Sequence, residues 1–131
     1  MGLIYLDTCL LIYAVENHPV WFSPVREALS NQPADSFAIS PLVKMECLVK
    51  PMRLGDTALQ WRYESAMTQF APLTLNEAVF VQAAQLRARF NLKTPDALHL
   101  ACAQHHGCVA LWTNDDRLAQ AAYGLARNVL Q

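Results

Sequence analysis

The 131 residues fit one domain, large enough to bury well over half of its unfolded surface without disulfide or metal staples. With 53% hydrophobic and only 16% charged residues, a charge that interrupts an apolar segment carries information. The net charge of −1 excludes a broad basic field, so a nucleic-acid partner would have to be drawn by a metal or a local patch rather than by lysine and arginine alone.

Leu3–Leu6 is a short apolar run with a β-branched and an aromatic residue, and it predicts a buried first strand. Asp7-Thr8 offers a cap for a helix through Cys9-Leu10-Leu11-Ile12-Tyr13. A second helix is expected from about Pro19 to the Asn31-Gln32-Pro33 breaker, and Phe37–Ile39 reads as a second strand. Ser40-Pro41 supplies a capping hydroxyl and a first-turn proline for a helix carrying Leu42, Val43, Glu46, Leu48 and Val49, expected to stop near Pro51. Leu54-Gly55-Asp56 turns into a further helix through Phe70. Pro72–Leu75 reads as a short strand, and Asn76 caps a helix to about Phe90.

Thr94-Pro95 repeats the cap-plus-proline start and opens a helix that breaks at Gly107. Cys108–Trp112 is another apolar strand. Thr113-Asn114-Asp115-Asp116 ends it and caps a short helix toward Tyr123, and Arg127–Leu130 reads as a last strand. Strands alternating with helices predict a three-layer α/β/α fold, one domain over residues 1–131, with a central, mostly parallel twisted sheet. In such sheets ligands bind beyond the carboxyl ends of the strands, where Asp7 and Asp115 fall. Asp96, opening a helix, reaches the same edge if that helix begins at the strand tips.

Each acid has a plain structural reading. Asp7 and Asp115, or Asp116 beside it, fit helix caps, and Asp96 in a first turn complements a helix dipole. Glu46, on a largely apolar helix, either pairs with Lys50 one turn on or is held by a cation. If all four converge, carboxylates ~4 Å apart repel by ~4 kcal/mol per pair at an effective dielectric of ~20, so the pocket must take up protons or a cation. Oxygen ligands favour Mg²⁺ or Mn²⁺ over Zn²⁺, and such an ion polarises a phosphoryl oxygen and activates a water. Thr113 and Asn114 are suited to orient a carboxylate or water, or simply to form the turn.

At these residues the sequence resembles the PIN-domain nucleases, and within them the VapC-like toxins of type II toxin–antitoxin pairs. The resemblance rests on Leu6-Asp7-Thr8, on Ser40-Pro41-Leu42-Val43-Lys44-Met45-Glu46, on Thr94-Pro95-Asp96-Ala97-Leu98-His99-Leu100-Ala101 and on Leu111-Trp112-Thr113-Asn114-Asp115, in this order over nearly the whole chain. It implies an Mg²⁺- or Mn²⁺-dependent endoribonuclease acting on tRNA, rRNA or mRNA. Asp7, Glu46, Asp96 and Asp115 would form the catalytic and metal-binding acidic set, with Thr8 in support, in a homodimer neutralised by a cognate antitoxin. Two positions depart from the family pattern. Cys9 stands where Asn or Ser is common, and Leu118 is the nearest counterpart of an aromatic after Thr-Asn-Asp. Alignment of the motif favours Asp115 over Asp116.

Lys44, Arg89, Lys93 and Arg117 lie near the acidic motifs in sequence and are candidates for phosphate contacts, or solvated charges. His99 reads as a hydrogen-bonded packing histidine, with a general base as the alternative. Cys102, His105, His106 and Cys108 follow no common zinc spacing. Trp21, Trp61 and Trp112 read as core or dimer packing, although Trp61, Tyr63 and Met67 could form a partner groove. Four cysteines without a C-x-x-C pair, no basic leader before Asp7 and no bilayer-length apolar run predict reduced thiols and a cytoplasmic protein off the membrane. Two other functions fit the residues: a housekeeping PIN-type RNA-processing nuclease without antitoxin, and a non-catalytic metal-binding or interaction module.

Overall fold

The computed structural model describes residues 2–121 and 124–130. Strand β1 (Ile4–Leu6) is buried on both faces and leads into α1 (Thr8–Val15), whose N-cap is Asp7. Helix α2 (Phe22–Ser30) follows, beginning three residues after Pro19. After β2 (Phe37–Ile39) come α3 (Pro41–Leu54) and α4 (Thr57–Met67). The edge strand β3 is only Ala71–Pro72, shorter than the sequence suggested, since Leu73 has a single backbone bond to the Ile39 carbonyl. Then come α5 (Glu77–Phe90), α6 (Thr94–His105), β4 (Ala110–Thr113), α7 (Asp116–Ala121) and β5 (Ala126–Asn128). Tyr123, the expected end of α7, lies outside the described residues.

The five strands pair in the order β3-β2-β1-β4-β5, every pairing parallel. The chain therefore winds one way from β1 to β3, returns through α5 and α6, and winds the other way through β4 and β5. Right-handed crossovers place α1–α4 on one face and α5–α7 on the other. The winding reverses between β1 and β4, so a crevice opens beyond the carboxyl ends of these two strands. Asp7 follows β1 directly, and its amide bonds the Trp112 carbonyl of β4 at 3.0 Å, which closes the two strand tips onto each other.

Helix α6 is the most deeply buried helix segment, with every residue from Ala97 to Ala103 in the core. Packed between α5 and the sheet, it tolerates His99 only with its ring nitrogens bonded. Helix α3 does not stop at Pro51. The proline costs it one backbone bond, but its fixed φ suits a helix, and the chain continues to Leu54 before the left-handed Gly55 (φ 65°) ends it. Neither serine–proline nor threonine–proline caps as expected. Ser40 holds the cap position of α3 without a side-chain cap bond, and Lys93, not Thr94, precedes α6. Among the described residues no helix is long and apolar enough to cross a membrane.

Candidate active site

The centre of the crevice is Asp7. Its carboxylate is almost fully buried and fixed at both oxygens: Oδ1 accepts the Thr8 amide at 2.7 Å and Oδ2 accepts the Thr113 hydroxyl at 2.7 Å. Thr113 Oγ1 in turn accepts the Asp115 amide at 3.0 Å, so one threonine at the tip of β4 orients both acids. Asp7 thus serves as cap and as a pocket carboxylate at once, because strand tip and helix start coincide.

Glu46 projects from α3 toward the same place. Its Oε1 accepts the Thr8 hydroxyl at 2.7 Å and faces His99 Nε2 at 2.7 Å. Lys50 pairs instead with Glu16 at 2.5 Å, so the surface pairing of Glu46 with Lys50 does not form. Burial works to raise the Glu46 carboxyl, but the hydrogen bonds from His99 and Thr8 outweigh it and hold it below the usual glutamate value.

Asp96 lies in the first turn of α6, half-buried, and among the described residues accepts no hydrogen bond. Its carboxyl is raised, chiefly by burial and then by the negative charges of Asp115 and Asp7. These three acids therefore share one field. Asp115 Oδ1 caps α7 through the Arg117 and Leu118 amides at 2.9 and 3.4 Å, which leaves Oδ2 without a hydrogen bond among the described residues. Asp116 is exposed and accepts from Asn128 at 3.0 Å, and of the two neighbours it is Asp115 whose charge reaches Asp96. Asp7, Cys9, Tyr13, Asn114, Asp115, Asp116 and Arg117 line a cleft of about 470 Å³.

The donor set suits a hard divalent ion, since it is all carboxylate and the free atoms are Glu46 Oε2, Asp115 Oδ2 and both Asp96 oxygens. As the side chains stand, no three His, Cys, Asp or Glu among the described residues are placed to hold one ion together. The carboxylates are instead satisfied by Thr8, Thr113, His99 and helix amides.

Asn114 donates to the Tyr13 hydroxyl at 3.3 Å and so braces the wall of the cleft rather than an acid. Cys9 sits against Asp7. Burial and that charge push its thiol up to about 12, so it stays neutral and inert as a nucleophile. Arg117 lines the cleft, and Lys93 stands at the cap of α6, where its charge pulls against the rise at Asp96. Lys44 is exposed on α3 beside a separate cavity, and the Arg89 guanidinium lies 5.3 Å over the Phe90 ring. His105 and His106 bond Asn76 and the Thr74 carbonyl at 3.5 and 2.8 Å, and Cys102 also points to Thr74, so no zinc set forms with Cys108. Trp61 is 68% exposed over an apolar groove, whereas Tyr63 and Met67 are buried.

His99 is 1% exposed, with Nδ1 2.6 Å from the Tyr5 hydroxyl, which lies 2.7 Å from Ser40 Oγ. Both ring nitrogens are engaged, Nε2 on Glu46 with Asp7 Oδ1 3.8 Å away, which favours a positioning role over a general base. The packing reading holds, with the addition that the packing partner is Glu46. Tyr5 and Ser40 were not legible as members of the site. The only sign was a tyrosine in an otherwise aliphatic strand, whose hydroxyl must find a partner when buried.

The family profile described as PIN domain matches residues 4–123. No curated protein sequence matches. A toxin–antitoxin complex from Klebsiella pneumoniae contains a chain 25% identical, with a TM-score of 0.80 over 96% of this chain and 97% of that one. The DNA-bound VapBC of Salmonella typhimurium gives 19% identity and a TM-score of 0.81 over 98% and 99%. The sarcin-ricin-loop-cleaving toxin VapC20 of Mycobacterium tuberculosis gives 16% identity and 0.75 over 90% and 94%. The last two likenesses are of fold.

Proposed function

This chain belongs to the PIN domain family, and we propose that it is a divalent-metal-dependent endoribonuclease, the toxin of a toxin–antitoxin pair. What supports this is that Asp96 feels the charges of Asp115 and Asp7 beside the reversal point of the sheet, while Glu46 and Asp7 share Thr8. Asp7, Glu46, Asp96 and Asp115 would hold Mg²⁺ or Mn²⁺, which would supply charge to offset their repulsion and to polarise a phosphoryl oxygen.

The protein's own part is positional. Thr113 and Thr8 fix Asp7, and His99 with Thr8 fixes Glu46. Asp96, in the first turn of α6 and accepting no hydrogen bond among the described residues, would help to hold the ion and the attacking water. The water gives up a proton to a carboxylate of the set as its oxygen bonds to phosphorus, the bond to the leaving ribose oxygen breaks, and that oxygen takes a proton from solvent. Arg117 at the cleft, with Lys44, Arg89 and Lys93, would hold phosphates of tRNA, rRNA or mRNA.

The Klebsiella pneumoniae toxin–antitoxin complex supports an antitoxin partner, and the apolar groove of about 530 Å³ around Trp61 and Phe70 offers it a surface. The cleaving activity named for VapC20 supports a toxin nuclease. We also take residues 1–131 as one nuclease domain and the working form as a cytoplasmic homodimer. The experiment is Asp7→Asn and Asp96→Asn assayed with Mn²⁺ on total RNA. Each should lose at least ~100-fold in cleavage with unchanged circular dichroism. Full cleavage by either variant would refute its role, and Mn²⁺ binding by the wild type without any cleavage would favour the non-catalytic module.

A further inference from the structure

The crevice is backed by a file of polar side chains that the acidic set does not account for. Ser40, Tyr5 and His99 are 3%, 0% and 1% exposed, and they end on Glu46. Among the described residues no buried side-chain nitrogen or oxygen lacks a partner, so the file is complete. Building it in the core is worthwhile only if each member is satisfied, because half-satisfied buried networks are costly.

For a neutral His99 ring, donor and acceptor capacity fixes the direction of every bond; with the ring protonated, Tyr5 would donate to Ser40 instead. An ionised glutamate accepts only, so His99 Nε2 must carry hydrogen. In a neutral imidazole Nδ1 is then bare and must accept, so the Tyr5 hydroxyl donates to it. The tyrosine oxygen is left as an acceptor, and Ser40 donates to it. The file therefore runs one way, from Ser40 to Tyr5 to His99 to Glu46. The Thr8 hydroxyl adds a second donor at the same Glu46 oxygen, Oε1. Oε2 is left free among the described residues. The ring of His99 is held in turn by its edge-on contact with Tyr5, the centroids 5.6 Å apart.

The three elements involved explain why this matters. Tyr5 lies on β1 two residues before Asp7, Ser40 opens the helix that carries Glu46, and His99 lies one turn beyond Asp96 on α6. The file thus registers both acid-bearing helices against the central strand that delivers Asp7. Met45 and Val49 beside Glu46 are exposed, so no apolar wall confines its flexible side chain on that side.

Resting on the nuclease reading above, we propose that His99, oriented by Tyr5 and Ser40, is a positioning residue that commits Oε1 of Glu46 and so presents Oε2 to the divalent ion. It touches neither substrate nor ion itself. A residue that holds a metal-binding carboxylate by hydrogen bonding in this way is worth about 10–100-fold in metal affinity or activity.

The test uses His99→Leu, His99→Gln and Tyr5→Phe in the full chain, with Asp7→Asn as control. Nitrogen-detected NMR of the metal-free wild type should show His99 protonated at Nε2 and bare at Nδ1, and Tyr5→Phe should mix the two tautomers. By calorimetry, His99→Leu should bind Mn²⁺ about tenfold more weakly or worse, and His99→Gln, whose amide donates from nearly the same position, should recover most of the loss. RNA cleavage should fall in kcat with KM unchanged. If His99→Leu does not fold, Tyr5→Phe carries the test, with a several-fold loss of Mn²⁺ affinity expected. An Nδ1-protonated wild type, or wild-type Mn²⁺ affinity in folded His99→Leu or Tyr5→Phe, overturns the proposal. If Asp7→Asn also keeps Mn²⁺ binding and cleavage, the nuclease reading has failed. If Asp7→Asn is inactive while the His99 variants match wild type, only the positioning role has failed.

Discussion

Glu46, bonded to His99, and Asp96, one turn before it on α6, are both carboxylates beside the same histidine, yet the fold treats them oppositely. Glu46 receives two strong donors and is held ionised, whereas Asp96 receives none and feels Asp7 and Asp115. A carboxyl lowered on folding adds stability above its unfolded value of 4.5, lost as pH falls through the folded one. A carboxyl raised on folding does the reverse. Its native state binds more protons, so stability falls as pH rises from 3.8 through the folded value, and the penalty is complete above it. In the metal-free protein Asp96→Asn should therefore raise Tm by a few degrees at pH 7, the gain fading at about pH 3, where the aspartate is protonated anyway. Glu46→Gln should lower Tm at pH 7, with its effect shrinking in acid. Melting curves of both variants across that range check the signs, and equal shifts at both ends would contradict them. The gain in stability on losing Asp96 is what a site built for function rather than for stability shows.

At the scale of the element, α3 carries most of the burden of aim. Its start at Pro41, just after β2, sets where Glu46 falls, and the helix runs on through Pro51 because it can lose one backbone bond and still be ended cleanly by Gly55. Gly55 has φ 65° and nothing within 4 Å of the place a Cβ would occupy, so the cost of a side chain there is backbone strain alone. Gly55→Ala should destabilise by about 1 kcal/mol in urea denaturation while RNA cleavage and Mn²⁺ affinity stay at wild-type values, since the strain lies two turns beyond Glu46. Helix α6 shows the converse. Buried from Ala97 to Ala103, it has no room to slide, and it brings Asp96 and His99 to the crevice as a rigid pair.

For the molecule as a whole, the parallel sheet and its reversal between β1 and β4 gather charges that the chain separates by up to 108 positions, Asp7 and Asp115 being the extremes. The gathering is unfavourable without a counterion, and its relief should appear as ligand-linked stability. Mn²⁺ at about 100 times its Kd should stabilise the fold by about 2.7 kcal/mol. Chelation should reverse the gain, and Asp96→Asn should abolish most of it. A Tm indifferent to Mn²⁺ in the wild type would remove the ion from the site. Both sheet edges are short, and β3 ends in Pro72, which lacks an N–H for further pairing and so guards the exposed edge.

By itself the sequence determined the alternation of strands and helices and the strand-tip placement of Asp7 and Asp115, because these depend on apolar runs, caps and residue types that act locally. It misjudged the end of α3 at Pro51, the capping by Ser40 and Thr94, and the length of β3, because burial and edge position override local propensity there. Only the tertiary structure decided that Glu46 turns to His99 and Thr8 rather than to Lys50, that the charge of Asp115 reaches Asp96, and that Tyr5 and Ser40 stand behind the site. Those are contacts between residues 35 or more apart in sequence in the case of Tyr5 with Ser40, and 53 in the case of Glu46 with His99. No local periodicity encodes them. They exist because packing two helix layers on one sheet forces particular side chains into a low-dielectric space, where each polar atom must find a partner.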